Sequence, residues 1–127
     1  MSNDRYVPAN EQLIIELYTG DIKASCAFYL AFGFEVVREE SNFIVLGWKD
    51  SMLFLEEIEN CPPPPLSPAG NIRVMVPNVD YYWELATKLG ARVIHSIEDR
   101  YYGLRDFTIA GPDGIGLRFG TSLQTAH

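Results

Sequence analysis

Apolar and polar positions along this chain alternate in short runs, and two stretches break the alternation with helical spacing. From Leu13 to Tyr18, Leu13, Ile15 and Leu17 fall on one side of a strand and Ile14, Glu16 and Tyr18 on the other. Thr19-Gly20 interrupts the run. Asp21 is then placed to cap a helix with apolar positions Ile22, Cys26, Phe28, Tyr29 and Phe32, mostly at three- and four-residue steps. Small Ser25 shares that stripe, and Gly33 is placed as the C-terminal cap. Three strands follow, Phe34–Arg38, Asn42–Trp48 and Ser51–Glu57, with turns at Glu39–Ser41 and Lys49-Asp50. The order is β-α-β-β-β over residues 11–57, after a polar, irregular lead-in at residues 1–10.

Residues 58–70 read as a stiff linker, because the four prolines from Pro62 to Pro65 donate no amide hydrogens and hold an extended backbone. Beyond it the pattern repeats. Laying Gly33 over Gly90, an offset of 57, brings Asp21 onto Asn78, both expected helix caps. Ile22, Cys26, Phe28, Tyr29 and Phe32 then fall on Val79, Trp83, Leu85, Ala86 and Leu89, each apolar position finding an apolar partner, while Ser25 falls on Tyr82. Ile15 and Leu17 lie over Ile72 and Val74. The second unit closes with a hairpin. Phe107 and Ile109 alternate with Asp106 and Thr108, Gly111-Pro112-Asp113-Gly114 turns the chain, and Ile115, Leu117 and Phe119 alternate with Gly116 and Arg118. Residues 71–120 are thus a second β-α-β-β-β module, and a period above 50 residues means two tandem modules rather than a solenoid. The fold class expected is α+β.

Composition narrows the function classes. At 127 residues and 47% hydrophobic the chain can bury a core as a single domain, and no apolar run is long enough to span a membrane. The start, Met1 to Tyr6, lacks the pattern of a signal peptide, so the expected location is cytoplasmic. A formal net charge of −7 with scattered Lys and Arg argues against nucleic acid as a partner. Cys26 and Cys61 form no CxxC pair and read as idle thiols. Ser51, Ser67 and Ser96 have no Gly-rich elbow, and no phosphate-binding Gly-Lys-Ser/Thr loop occurs, so no nucleophile or nucleotide site is indicated.

Three pieces, in order and in duplicate, resemble the vicinal-oxygen-chelate superfamily of glyoxalase I, bleomycin-resistance proteins, fosfomycin-resistance proteins and extradiol dioxygenases. They are Gly20-Asp21…Ala27-Phe28-Tyr29…Phe32-Gly33-Phe34, the Leu89-Gly90-Ala91 helix exit, and Tyr102-Gly103-Leu104-Arg105-Asp106-Phe107…Pro112-Asp113-Gly114. The resemblance covers residues 11–120 and implies paired βαβββ modules whose sheets curl around a cavity. Gly111 stands where the family usually has Asp before the Pro-Asp-Gly turn.

If each strand turns its apolar set to the helix, the other set forms the concave side. That side then receives Ile14, Glu16, Tyr18, Met52, Phe54 and Glu56 from the first module. The second supplies Asn71, Arg73, Met75, Gly116 and Arg118. Glu16 lies over Arg73, and Glu56 and Arg118 are both read as ending their modules' last strands, so an acidic half-site can face a basic one. Structural ion pairs, Glu16–Arg73 or Glu56–Arg118, are the alternative. The resemblance implies metal ligands seven residues before each helix cap and at the ends of the last strands. Those places hold Ile14, Asn71, Glu56 and Arg118, of which only Glu56 is a good donor. His95 reads as a strand residue and His127 is terminal, so neither substitutes. Arg105-Asp106 reads as structural.

These residues give an expected metal-independent pocket with no cofactor, built from Glu16, Tyr18, Trp48, Phe54, Glu56, Arg73, Met75 and Arg118 and taking a small-molecule ligand. The facing of Trp48 is open in the sequence. The resemblance to the bleomycin-resistance branch implies a homodimer that sequesters a drug or metabolite. Two alternatives stand beside it: a lyase, isomerase or dioxygenase with a non-standard site around Glu56, or a vestigial site serving association.

Overall fold

The structure, a computed structural model, describes residues 7–123. After a single 3-10 turn at Ala9–Glu11, the first module runs β1 (Ile15–Thr19), α1 (Ile22–Ala31), β2 (Glu35–Glu40), β3 (Phe43–Trp48) and β4 (Ser51–Glu57). The second runs β5 (Asn71–Met75), α2 (Val79–Lys88), β6 (Val93–Asp99), β7 (Leu104–Ala110) and β8 (Gly116–Ser122). Each module forms its own mixed four-stranded sheet, ordered β1-β4-β3-β2 and β5-β8-β7-β6. The β1/β4 and β5/β8 pairs are parallel and the others antiparallel. This is the expected α+β fold of two βαβββ modules, and the chain divides into two compact units at Pro63/Pro64, inside the proline run. No helix among the described residues is long and apolar enough to cross a membrane.

The repeat is carried by the helices, whose spans match residue for residue at the 57-residue offset. In α1 the Asp21 carboxylate accepts the Ala24 N–H at 3.1 Å, as the cap reading requires. Asn78 does not act in the same way. It sits at the N-cap position of α2 without a side-chain cap bond, and the Val79 N–H goes instead to Thr121 Oγ1 at 2.9 Å. The first module has a matching tie, Ile22 N–H to Glu57 Oε1 at 2.9 Å, so each helix start is held from the end of its own module's last strand.

Each core lies between one helix and one sheet face. Tyr29, Leu46 and Leu55 are almost completely covered in the first module, and Val79, Phe107, Ile109, Leu117 and Phe119 in the second. Tyr82, standing where the first module has Ser25, stacks on Phe119 with ring centroids 4.6 Å apart. Ser25 is buried and shares a 2.8 Å hydrogen bond with Thr19.

Several boundaries differ from the sequence pattern. β1 begins at Ile15, and Leu13 is 90% exposed, because pairing with β4 starts only at Ile15↔Leu53. Phe34 belongs to the core rather than to β2; its N–H closes the end of α1 on Tyr29 O, and the strand starts one residue later. The Gly111–Gly114 turn forms as read, with Gly114 at φ +84°. His127 lies outside the described residues, as do residues 1–6 of the lead-in.

Candidate functional site

Side chains alternate across a strand, so residues paired in register form rows across each sheet. On the face of the first sheet opposite α1, one row reads Glu16–Phe54–Val45–Arg38. The matching row of the second sheet reads Arg73–Arg118–Thr108–His95. The next rows are Tyr18–Glu56–Phe43–Glu40 and Met75–Gly120–Asp106–Glu98. The parity reading therefore placed Glu16, Tyr18, Phe54 and Glu56 together on one helix-free face, and Arg73, Met75 and Arg118 together on the other.

Two expectations need correction. Trp48 lies on the helix side of β3, its ring 5.1 Å from that of Phe34, because it has the same parity as the buried Leu46 and Ile44. It does not join the open face. Glu56 and Arg118 are not equivalent positions: the register sets Arg118 over Phe54 and Glu56 over Gly120, and β8 continues four residues past Arg118 to Ser122. The 57-residue offset of the helices becomes 64 at the last strand, from Leu55 to Phe119, because the connections within the second module are longer. Arg118 takes its acid partner from its own module, Asp106.

Asp106 is the hub of the second face. Its side chain is 3% exposed. Oδ1 accepts from Arg100 Nε at 2.7 Å, and Oδ2 accepts from Arg118 Nε at 3.1 Å, from Arg118 Nη2 and from the Tyr102 hydroxyl at 3.0 Å. Arg118 Nη2 also donates to the Tyr102 hydroxyl at 2.7 Å. Burial alone would raise the Asp106 pKa, but hydrogen bonds from Arg118, Arg100 and Tyr102 outweigh it and hold the carboxyl below its ordinary value. Burial and the hydrogen bond to Asp106 push the Tyr102 phenol up, so it remains a donor. Arg105, the neighbour in sequence, has the opposite parity and pairs outside this network with Asp80 at 2.9 Å and Asp99 at 3.0 Å.

The network lines an open cavity of about 450 Å³, with His95, Asn71 and Thr108 also in its wall. Sequence reasoning missed Arg100, Tyr102 and His95 as members of this site and undervalued Asp106. The signal for Asp106 was present, since counting back through the hairpin gives it the same parity as Thr108 and Arg118. Arg100 carried no such signal, because it follows the last residue of β6 and reaches back in a turn.

The first face has different chemistry. Phe43 and Phe54 meet edge to face at 5.2 Å, the Arg38 guanidinium lies 5.8 Å from the centre of the Phe43 ring, and Tyr18 is 60% exposed beside Glu56. Neither face fits the divalent metal that the fold family implies. Among the described residues no three His, Cys, Asp or Glu side chains converge. At the last-strand position of the second module neither Arg118 nor its register alternative Gly120 offers a side-chain lone pair to a metal. Cys26 is buried and its thiol pKa is pushed up by that burial and by Glu39, which suits an inert thiol.

Comparison with known proteins agrees with this architecture. No curated protein sequence matches the chain. Among solved structures, a glyoxalase/bleomycin resistance protein/dioxygenase from Nocardioides shares 17% identity over 94% of this chain and 86% of its own, with a TM-score of 0.73. A lactoylglutathione lyase from Agrobacterium tumefaciens shares 21% identity over 95% and 100%, with a TM-score of 0.71. A bleomycin-binding protein in complex with bleomycin shares 21% identity over 88% and 98%, with a TM-score of 0.69. At these identities the likeness is one of fold. Residues 12–119 match the sequence profile of the Glyoxalase/Bleomycin resistance protein/Dioxygenase superfamily, and the chain belongs to that family.

Proposed function

We propose that this protein is a metal-independent small-molecule-binding protein of the glyoxalase/bleomycin-resistance type, sequestering a drug or metabolite on the helix-free faces of its sheets. The observation that carries the reading is Arg118. It stands in the last strand of the second module and is locked to buried Asp106, filling with a fixed cation a region where a metal-dependent relative needs a donor. Without a Lewis acid the chemistry associated with the fold loses its main device, while a binding surface remains. Glu16, Tyr18, Phe54 and Glu56 supply aromatic area and negative charge on one face, and Arg73, Met75 and Arg118 supply a thioether and positive charge on the other. That a relative of this fold holds bleomycin is consistent with sequestration.

We also propose a cytoplasmic location, from the sequence start, and a homodimer, because each sheet ends in two edge strands that a second copy can cover. Light scattering at micromolar concentration checks this, with a monomer as the contrary result. The binding reading is tested by thermal denaturation in excess chelator across glycopeptides, thiol conjugates, aromatic acids and aromatic amines. Stabilisation by at least one small molecule with chelator present is expected; stabilisation only when a divalent metal is restored would overturn it.

A further inference from the structure

We propose that the row His95–Thr108–Arg118–Arg73 is a carboxylate-recognition strip, selecting ligands whose carboxylate is attached to a flat aromatic group, with Asp106 and Tyr102 as positioning residues that aim Arg118. This rests on the small-molecule-binding reading and names its ligand class.

The first ground is the arginine pair. Arg73 and Arg118 are direct register partners on parallel neighbouring strands, where like charges repel. Arg118 is only partly neutralised by Asp106, and no carboxylate of its own module pairs with Arg73. Around the cavity and this row, Arg73, Arg100, Arg105 and Arg118 stand against Asp80, Glu98, Asp99 and Asp106, a local balance within a chain whose net charge is −7, and Arg73 is the arginine of this group that no carboxylate of its module pairs. An anion set between the two guanidinium groups would relieve that repulsion.

The second ground is the aim of Arg118. Its Nε and Nη2 are committed to Asp106 and Tyr102, which fixes the guanidinium plane and leaves Nη1 without a partner among the described residues. A side chain held in this way loses little freedom on meeting a ligand. The Arg118 carbon Cζ lies over the Tyr102 ring, 5.6 Å from its centre, and the exposed rings of Tyr102 and Tyr101 line the same cavity, so aromatic area for a flat group stands beside the fixed charge. Gly116 and Gly120 flank Arg118 on the same face, where a Cβ at Gly116 would come within 3.0 Å of Thr108 Cγ2 and one at Gly120 within 3.4 Å of Asp106 Cβ, so neighbouring side chains close over both glycines and hold the arginine from either side.

Titration calorimetry in chelator with four probes tests the proposal: 1-naphthoate, its neutral amide 1-naphthamide, the cation 1-naphthylmethylamine, and inorganic phosphate. Naphthoate is expected to bind at least about tenfold tighter than the other three, and to weaken as salt rises. Arg73→Gln and Arg118→Gln should each lower naphthoate affinity by about tenfold; Arg73 is exposed and carries no structural contact in its module, so its variant folds even if Arg118→Gln does not. Tyr102→Phe keeps the ring but leaves Asp106 as the only partner of Arg118 Nη2 among the described residues. It should shrink the naphthoate-to-amide ratio about threefold with the melting temperature unchanged, which a purely structural role would not do. The proposal is overturned by naphthoate failing to bind at millimolar concentration, by amide, amine or phosphate binding as tightly, or by full affinity in Arg73→Gln. Tight binding of the amine alone would sink the carboxylate strip and leave the metal-independent binding reading intact.

Discussion

The two modules share one framework and differ in what they show on the side away from the helix. Helix spans and sheet order correspond, and the register shift at Val36/Arg38 in the first module matches that at Val93/His95 in the second, which adds another at His95/Glu98. Yet where the first places Glu16, Phe54, Val45, Arg38 and Phe43, the second places Arg73, Arg118, Thr108, His95 and Asp106. The conserved geometry depends on the buried set, Leu17, Leu55 and Ile44 against Val74, Phe119 and Phe107. The opposite parity is free to diverge, because a strand holds its register through its buried face. One module thus carries an aromatic and acidic face, the other an arginine and carboxylate network.

The sharpest way to break this comparison is to remove matched positions. Asp106→Ala should destabilise by about 3 kcal/mol in urea denaturation, since it leaves Arg100 and Arg118 covered without their acid. Phe43→Ala, at the equivalent place in the first module, should cost only about 1–2 kcal/mol, the loss of half-buried aromatic contact. Equal losses would mean that the network contributes no more than packing does.

The same network makes stability pH-dependent. The folded Asp106 carboxyl has a pKa below its unfolded value, so its contribution is complete above about pH 5 and is lost as pH falls through the ordinary carboxylate range toward the depressed folded value. The stability gap between the unmodified protein and Asp106→Asn should therefore be widest near neutrality and narrow steadily below about pH 4. A gap independent of pH would place the Asp106 contribution in shape rather than charge.

Smaller effects are expected at the helix ends. Thr121→Val removes the acceptor for the Val79 N–H and should cost about 1–2 kcal/mol, against about 0.5 kcal/mol for Glu57→Gln, whose amide oxygen can still accept from Ile22. Gly33→Ala should cost more than Gly90→Ala, though each loses about 1 kcal/mol for its positive φ. A Cβ at Gly33 also comes within 3.3 Å of the Trp48 ring, whereas one at Gly90 meets nothing within 4 Å. Thermal melts of the four variants order these effects.

Local features were the most legible in the sequence. Asp21 could be read as a cap because its acceptor and the Ala24 donor lie three residues apart, and Arg118 could be assigned its face because parity runs without interruption from the Pro112 turn. Asn78 holds the N-cap position without a side-chain cap bond, and the tie that does hold this helix start, from the Val79 N–H to Thr121, spans 42 positions and leaves no local pattern, like its counterpart from Ile22 to Glu57. The match of Glu56 to Arg118 failed for a similar reason: strand ends were aligned by order, whereas hydrogen-bonded register aligns Leu55 with Phe119. Arg100 and Tyr102 were invisible as partners because a turn, with no periodicity, brings them to Asp106.

The central proposal is that this protein works without a divalent metal, since neither Arg118 nor Gly120 in the last strand of the second module supplies a side-chain donor. Equilibrium dialysis of tag-free, chelator-treated protein against Zn, Ni, Mn and Fe(II) tests it most directly. No stoichiometric uptake of any of the four is predicted, and one tightly held ion per chain would contradict the account.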